Sequence, residues 1–157
     1  NKLKLKIVFL RFSNIYGPSV NKQLTLRSSY NKIIYNALSG KVNLFENKKS
    51  KRDIIYIEDV INAIFDTIKF FNSLKSDYYY ICYSKSISIE QFTKLITKQL
   101  SKEISKIKIK NIKKKLSLFD HRNFYGDYLI FQKKTKWKPL NDHAIGIRKT
   151  INFLKNK

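Results

Sequence analysis

The feature that most constrains this chain is the stretch from residue 6 to residue 18, KIVFLRFSNIYGP. A nearly continuous apolar run, Ile7-Val8-Phe9-Leu10, passes into an Arg, an Asn and a Tyr-Gly-Pro turn. Such a run reads as a strand covered on both faces, the habit of strands in parallel sheets. A parallel neighbour needs a crossover of about a dozen or more residues, so strand and helix have to alternate, and the polar groups ending the strand are delivered to a site. Because the chain opens on this strand, the first sheet strands are expected upstream of Asn1, which makes these residues part of a domain.

The rest of the pattern follows that demand. Leu26, Tyr30, Ile33, Ile34, Ala37 and Leu38 recur at near-helical spacing over 23–39, and Gly40 stands where a left-handed cap is wanted. Short strands are expected over 42–45 and 53–57. The period then changes, and Val60, Ile61, Ile64, Phe65, Ile68 and Phe71 fall on one helical face. YYYIC at 78–82 reads as another buried strand, and Ser88 with Gln91 gives a capping box for a helix from Ile89 to about Leu100. Asp127 is suited to cap a short helix, and Asn141 or Asp142 a last one with Ala144, Ile147, Ile151 and Leu154 inward. Alternating strands and helices make this an α/β chain.

Composition narrows the class. The chain has 157 residues, 43% of them hydrophobic, with no apolar run near the roughly 20 residues of a membrane helix. A soluble, cytoplasmic location is the expectation. Cys82 is the single cysteine, without ligand-spaced Cys or His neighbours, so it reads as an inert core residue and no metal site is expected. The net charge of +22, taken alone, suggests a nucleic-acid partner, since lysines that neutralise phosphates release counterions. It is mostly Lys, however, and spread along the whole length, whereas base-reading surfaces favour the forked donors of Arg. A solvated Lys-rich surface is therefore preferred over a nucleic-acid face. A non-enzymatic basic module binding nucleic acid or an acidic partner stays as the alternative. The densest basic stretch, KEISKIKIKNIKKK at 102–115, reads as an edge strand whose outward lysines block edge pairing.

Three motifs carry most of the chemistry: RFSNIYGP, KRDIIYIEDVINAI at 51–64, and the run from His121 to Phe153 with its Trp-Lys-Pro. Together with the strand-then-Ser-initiated-helix at 78–100, they resemble, in order, the extended short-chain dehydrogenase/reductase family of NAD-dependent sugar-nucleotide epimerases and dehydratases. The resemblance runs over nearly the whole chain but only the C-terminal half of the family's protein. It implies the last strands of a Rossmann-like parallel sheet plus a small mixed α/β substrate-binding subdomain over 1–157, with the N-terminal cofactor-binding half absent.

The resemblance also implies roles. Asn14 matches the Asn that hydrogen-bonds the nucleotide-sugar diphosphate, and the backbone at Ser13 matches the position facing the nicotinamide carboxamide of NAD or NADP. Arg52 matches the Arg that pairs with the diphosphate, for which a planar guanidinium is well shaped. Arg122 falls near another substrate-contacting position. Tyr16, Tyr56 and Trp137 read as packing residues. Two parts of the family's chemistry are not in this sequence. The glycines, at 17, 40, 126 and 146, are too scattered to form a dinucleotide turn, and none of the ten tyrosines has Lys at the fourth following position. No catalytic residue is therefore expected here. The implied partners are a nucleotide-sugar substrate, a separately encoded N-terminal half, and a second copy in a complete homodimeric enzyme. Departures inside the motifs bear on the sugar: Glu46-Asn47-Lys48-Lys49 where the family has Gly, Tyr79-Tyr80-Ile81-Cys82 for Tyr-Asn-Ile-Gly, and Leu129-Ile130-Phe131 for Ser-Lys-Ala.

Overall fold

The computed structural model describes residues 5–104 and 106–156. The first apolar run gives β1 (Phe9–Phe12), and after Ser13 the same strand continues as β2 (Asn14–Tyr16). β1 pairs in parallel with β6 (Tyr78–Ile81), Arg11 lying opposite Tyr80, and β2 pairs in parallel with β5 (Ile54–Tyr56), Asn14 opposite Ile54. One strand thus changes partner at Ser13, whose N–H still reaches back to Ile81 O while Asn14 N turns to Asp53 O. That switch opens the sheet at the polar end of RFSNIYGP.

The remaining strands are shorter. β3 (Lys41–Leu44) pairs in parallel with β8 (Lys108–Asn111), and β4 (Lys51–Arg52) pairs antiparallel with β7 (Ile87–Ser88). Helices α1 (Lys22–Thr25), α2 (Ser29–Leu38), α3 (Ile57–Lys69), α4 (Ile89–Leu100), α5 (Leu129–Thr135) and α6 (His143–Lys155) complete the alternation. The expected helix over 23–39 is therefore two pieces. Asn21 caps the first by accepting from Leu24 N, and buried Asn31 holds the loop by bonding Gly17 N, Gly17 O and Thr25 O. Gly40 takes φ +74°, as its cap position requires. The Ser88–Gln91 capping box forms at α4, and Asp142, rather than Asn141, caps α6 by accepting from Ile145 N. Asp127 Oδ1 accepts from Leu129 N at the start of α5.

Two cores result. One gathers Tyr16, Tyr30, Ile34, Val42, Phe92, Ile96 and Ile147 between α2, α4 and α6. The other gathers Ile55, Val60, Leu74, Tyr79, Ile81, Phe131 and Trp137 under α3 and α5. Tyr16, Tyr56 and Trp137 are packing residues, 1%, 2% and 4% exposed. Cys82 is buried, and desolvation pushes its thiol up to about 11, so it stays protonated and inert at neutral pH.

Two packing expectations are corrected. β1 is covered on one face only: Val8 and Leu10 pack on the second core, whereas Ile7 and Phe9, pointing to the other face, are 48% and 59% exposed. In α3 the face that turns inward carries Val60 and Ala63. Ile61, Ile64, Phe65 and Ile68 lie on the open side. The basic segment does form an edge strand, β8, exposed along its whole length. Ile104 and Ile107 before it pack against the first core. Ala144 is exposed, and Gly146 and Thr150 join Ile147, Ile151 and Leu154 on the buried side of α6.

Candidate substrate-binding site

A cleft of about 370 Å³ opens where the strand changes partner, lined by Phe12, Ser13, Asn14, Arg52, Phe119, Arg122, Asn123 and Phe124. All four residues singled out from the sequence lie on it. Ser13 and Asn14 arrive on the β1–β2 junction, Arg52 on β4, and Arg122 from the segment after the turn Leu118–His121. The parallel bridge Arg52–Phe124 joins the two walls.

Asp53 organises this arrangement. Its backbone O accepts from Asn14 N at 3.3 Å and from Asn14 Nδ2 at 3.2 Å, and its N–H donates to Phe124 O at 3.0 Å. Its Oδ1 accepts from Tyr83 N at 2.8 Å, while Oδ2 is buried without a partner, as is Ser13 Oγ. Burial raises the Asp53 pKa, an effect only partly offset by the Tyr83 amide. Asn14 is thus held by its amide nitrogen, leaving its side-chain oxygen and its exposed edge on the cleft.

Arg52 is held by carbonyls. Its Nη1 donates to Lys51 O at 3.1 Å, and its Nη2 to Phe119 O at 3.3 Å and Asp120 O at 2.9 Å. No carboxylate forms an ion pair with it among the described residues, and its side chain lines the cleft. Asp120 is occupied by Ser117, whose hydroxyl and amide both donate to Oδ2 and lower its pKa. Arg122 stacks on the Phe119 ring with its guanidinium carbon 4.3 Å from the centroid, a cation–π contact that fixes the plane of the fork. Two guanidiniums, a fixed amide and aromatic walls make a surface suited to an oxyanion group attached to a flat ring.

Phe119, Asn123 and Phe124 were not singled out from the sequence. They lie in a stretch without helical or strand periodicity, and only their neighbour Arg122 carried a signal. Asn123 Oδ1 accepts from Lys51 N and Ser50 Oγ donates to His121 O, so the segment is stitched to β4 by contacts no local pattern announces.

The glycines do not form a dinucleotide cradle. Gly17 faces the side chains of Tyr56 and Ile57, Gly126 faces Cys82, Gly146 faces Tyr16 inside α6, and Gly40 ends α2. The residues present therefore do not fit a dinucleotide site of their own. Among the described residues no metal-binding group of His, Cys, Asp and Glu is found, and no helix is long and apolar enough to cross a membrane.

The profile of the NAD dependent epimerase/dehydratase family matches residues 1–82. The chain belongs to that family. An uncharacterised protein of Methanocaldococcus jannaschii is 28% identical over 98% of this chain, which spans 44% of that protein. Among solved structures, the ADP-L-glycero-D-manno-heptose-6-epimerase of Helicobacter pylori is 26% identical with a TM-score of 0.75, matched over 96% of this chain and 45% of its own. The UDP-glucuronic acid 4-epimerase of Bacillus cereus, solved with UDP-glucuronic acid and NAD, has a TM-score of 0.81 over 99% of this chain and 47% of its own. At 17% identity that last likeness concerns the fold alone. The chain thus spans less than half the length of each of these relatives, and its fold is the Rossmann-like α/β arrangement of the epimerase family.

Proposed function

We propose that this chain is the substrate-binding half of an NAD-dependent nucleotide-sugar epimerase or dehydratase, with Asn14, Arg52 and Arg122 holding the diphosphate of the substrate. The observation that carries this reading is the meeting of these three side chains, distant in sequence, on one cleft whose guanidiniums have no carboxylate partner among the described residues. Arg52 and Arg122 supply the charge, the rings of Phe119 and Phe124 flank it, and Asn14 sets the depth at which the diphosphate sits. Ser13 sits where β1 gives way to β2. Its N–H is committed to Ile81 O, so its carbonyl is the backbone group left to meet a nicotinamide carboxamide.

Family enzymes draw hydride chemistry from NAD or NADP, and the dinucleotide turn and the Tyr–Lys pair that chemistry needs are not in these residues. In this reading the N-terminal half contributes them, and the chain alone is inactive. Its own contribution is positional: a substrate fixed through its diphosphate presents the sugar in one orientation, and correct orientation lowers a barrier by several kcal/mol, of the order of 7–11 kcal/mol at best.

Calorimetric titration with UDP- and TDP-sugars tests the reading. Saturable binding to wild type is expected, weakened roughly tenfold or more in Arg52→Ala, since charge-assisted hydrogen bonds contribute about 1.5–3 kcal/mol. Equal binding by wild type and Arg52→Ala refutes the assignment.

A further inference from the structure

The densest basic stretch of the sequence takes no part in the cleft contacts described above, yet its end runs into them. At the end of β8, Asn111 Oδ1 accepts from Lys48 Nζ at 2.7 Å, and Ile112 N is tied to Leu44 O. The chain then passes through Lys113, Lys114 and Lys115 to Ser117, which opens the turn whose carbonyls hold Arg52. Asn47 Nδ2 bonds Asp120 O, closing the circuit between the Lys48 corner and the cleft wall. All three lysines are exposed, and none makes a side-chain hydrogen bond or ion pair among the described residues. The two ion pairs found, Lys149–Glu58 and Lys155–Glu103, both use lysines of α6. Of the nearby acids, Asp120 accepts from Ser117 and keeps its negative charge, and neither it nor Glu46 forms an ion pair with these lysines among the described residues.

We infer that Lys113–Lys115, with Lys48 and Lys51, form a capture surface that draws a nucleoside diphosphate group to the Arg52–Arg122 cleft. The inference rests on the reading of that cleft as a diphosphate site. A strip of unpaired lysines running up to a cleft creates a field that extends about 10 Å at 0.1 M salt. Such a field concentrates anions at the entrance and speeds their arrival. Charges acting in this way change association and its salt dependence, while groups in direct contact change dissociation.

The test is stopped-flow binding of mant-UDP to wild type and to the triple variant Lys113→Gln, Lys114→Gln, Lys115→Gln, with circular dichroism to establish that both fold alike. At about 20 mM salt the variant's association rate is expected to fall roughly 3- to 10-fold, the two proteins converging near 0.5 M salt, with dissociation rates within about twofold. An unchanged association rate at low salt, a slowdown that persists at high salt, or faster dissociation overturns the capture surface while leaving the cleft reading intact. No mant-UDP binding by wild type refutes the cleft reading beneath it. A single-stranded DNA oligonucleotide that binds tighter than mant-UDP and is lost in the triple variant overturns the inference by assigning the strip to nucleic acid.

Discussion

Replacing Gly146 with Ala sets two opposed effects against each other inside α6. On helix propensity alone the change stabilises by about 1 kcal/mol. A Cβ built at this position, however, lies 2.3 Å from Tyr16 Oη, 2.9 Å from Tyr16 Cζ and 2.9 Å from Tyr56 Cδ2, whereas carbon contacts are comfortable at about 3.5–4.0 Å. Relief requires one side to give by about 1 Å, and interiors packed to crystal density do not yield so far without strain. Tyr16 has nowhere to go: it is 1% exposed, with edge contacts to Tyr56 at 5.6 Å and Phe92 at 5.5 Å between ring centroids. Overpacking of this kind costs about 1–3 kcal/mol, and three short contacts on two fixed rings place this case at the upper end. The net expectation is a loss of about 2 kcal/mol, or about 4–8 °C in Tm for a chain of this size. Urea unfolding followed by far-UV circular dichroism measures it, with an unchanged m-value as the check that the unfolded state is not responsible. Adding Tyr16→Phe removes the nearest atom and restores part of the loss, because its hydrogen bond to His143 O is a long one at 3.4 Å. A Gly146→Ala protein as stable as wild type, or more so, would falsify the claim that α6 is set by its contact with Tyr16.

Two further outcomes follow from the same packing. The Asp53 pKa is raised by burial, so between pH 4 and that raised value the folded chain holds a proton the unfolded chain has released, and stability declines as pH rises through this window; Asp53→Asn flattens this limb in a series of melts against pH, and an undiminished decline in the variant contradicts the assignment. Lys136 ends α5 with φ +65°, a conformation that suits Gly, so Lys136→Gly is expected to stabilise by about 1 kcal/mol in denaturant unfolding; destabilisation counts against the left-handed cap.

The elements legible in the sequence were those written in local chemistry. The Ser88–Gln91 box, Gly40 and Asp142 each satisfy or end a helix within a few residues of themselves, so they carry their information wherever the helix packs. The cleft was legible in part, since Asn14 and Arg52 sit in recognisable motifs. Phe119 and Phe124 were not, because a wall built from an irregular segment is defined by what it is stitched to. The stripe on α3 shows the opposite failure. Its apolar residues fall at helical spacing, and spacing alone does not say which side faces the core; Val60 and Ala63 join Ile55 and Trp137 there, while Ile61, Ile64, Phe65 and Ile68 stay exposed.

By itself, then, the sequence determined that strands and helices alternate, where the helices are capped, and that Asn14 and Arg52 stand in motifs resembling those of the epimerase family. Those properties depend on near neighbours along the chain. Only the tertiary structure decided that β1 hands over to β2 at Ser13, that Asp53 ties Asn14 to the Phe124 segment, and that Ser50 and Lys51 are stitched to His121 and Asn123. Each joins residues far apart in sequence through hydrogen bonds that exist only once the two cores have closed.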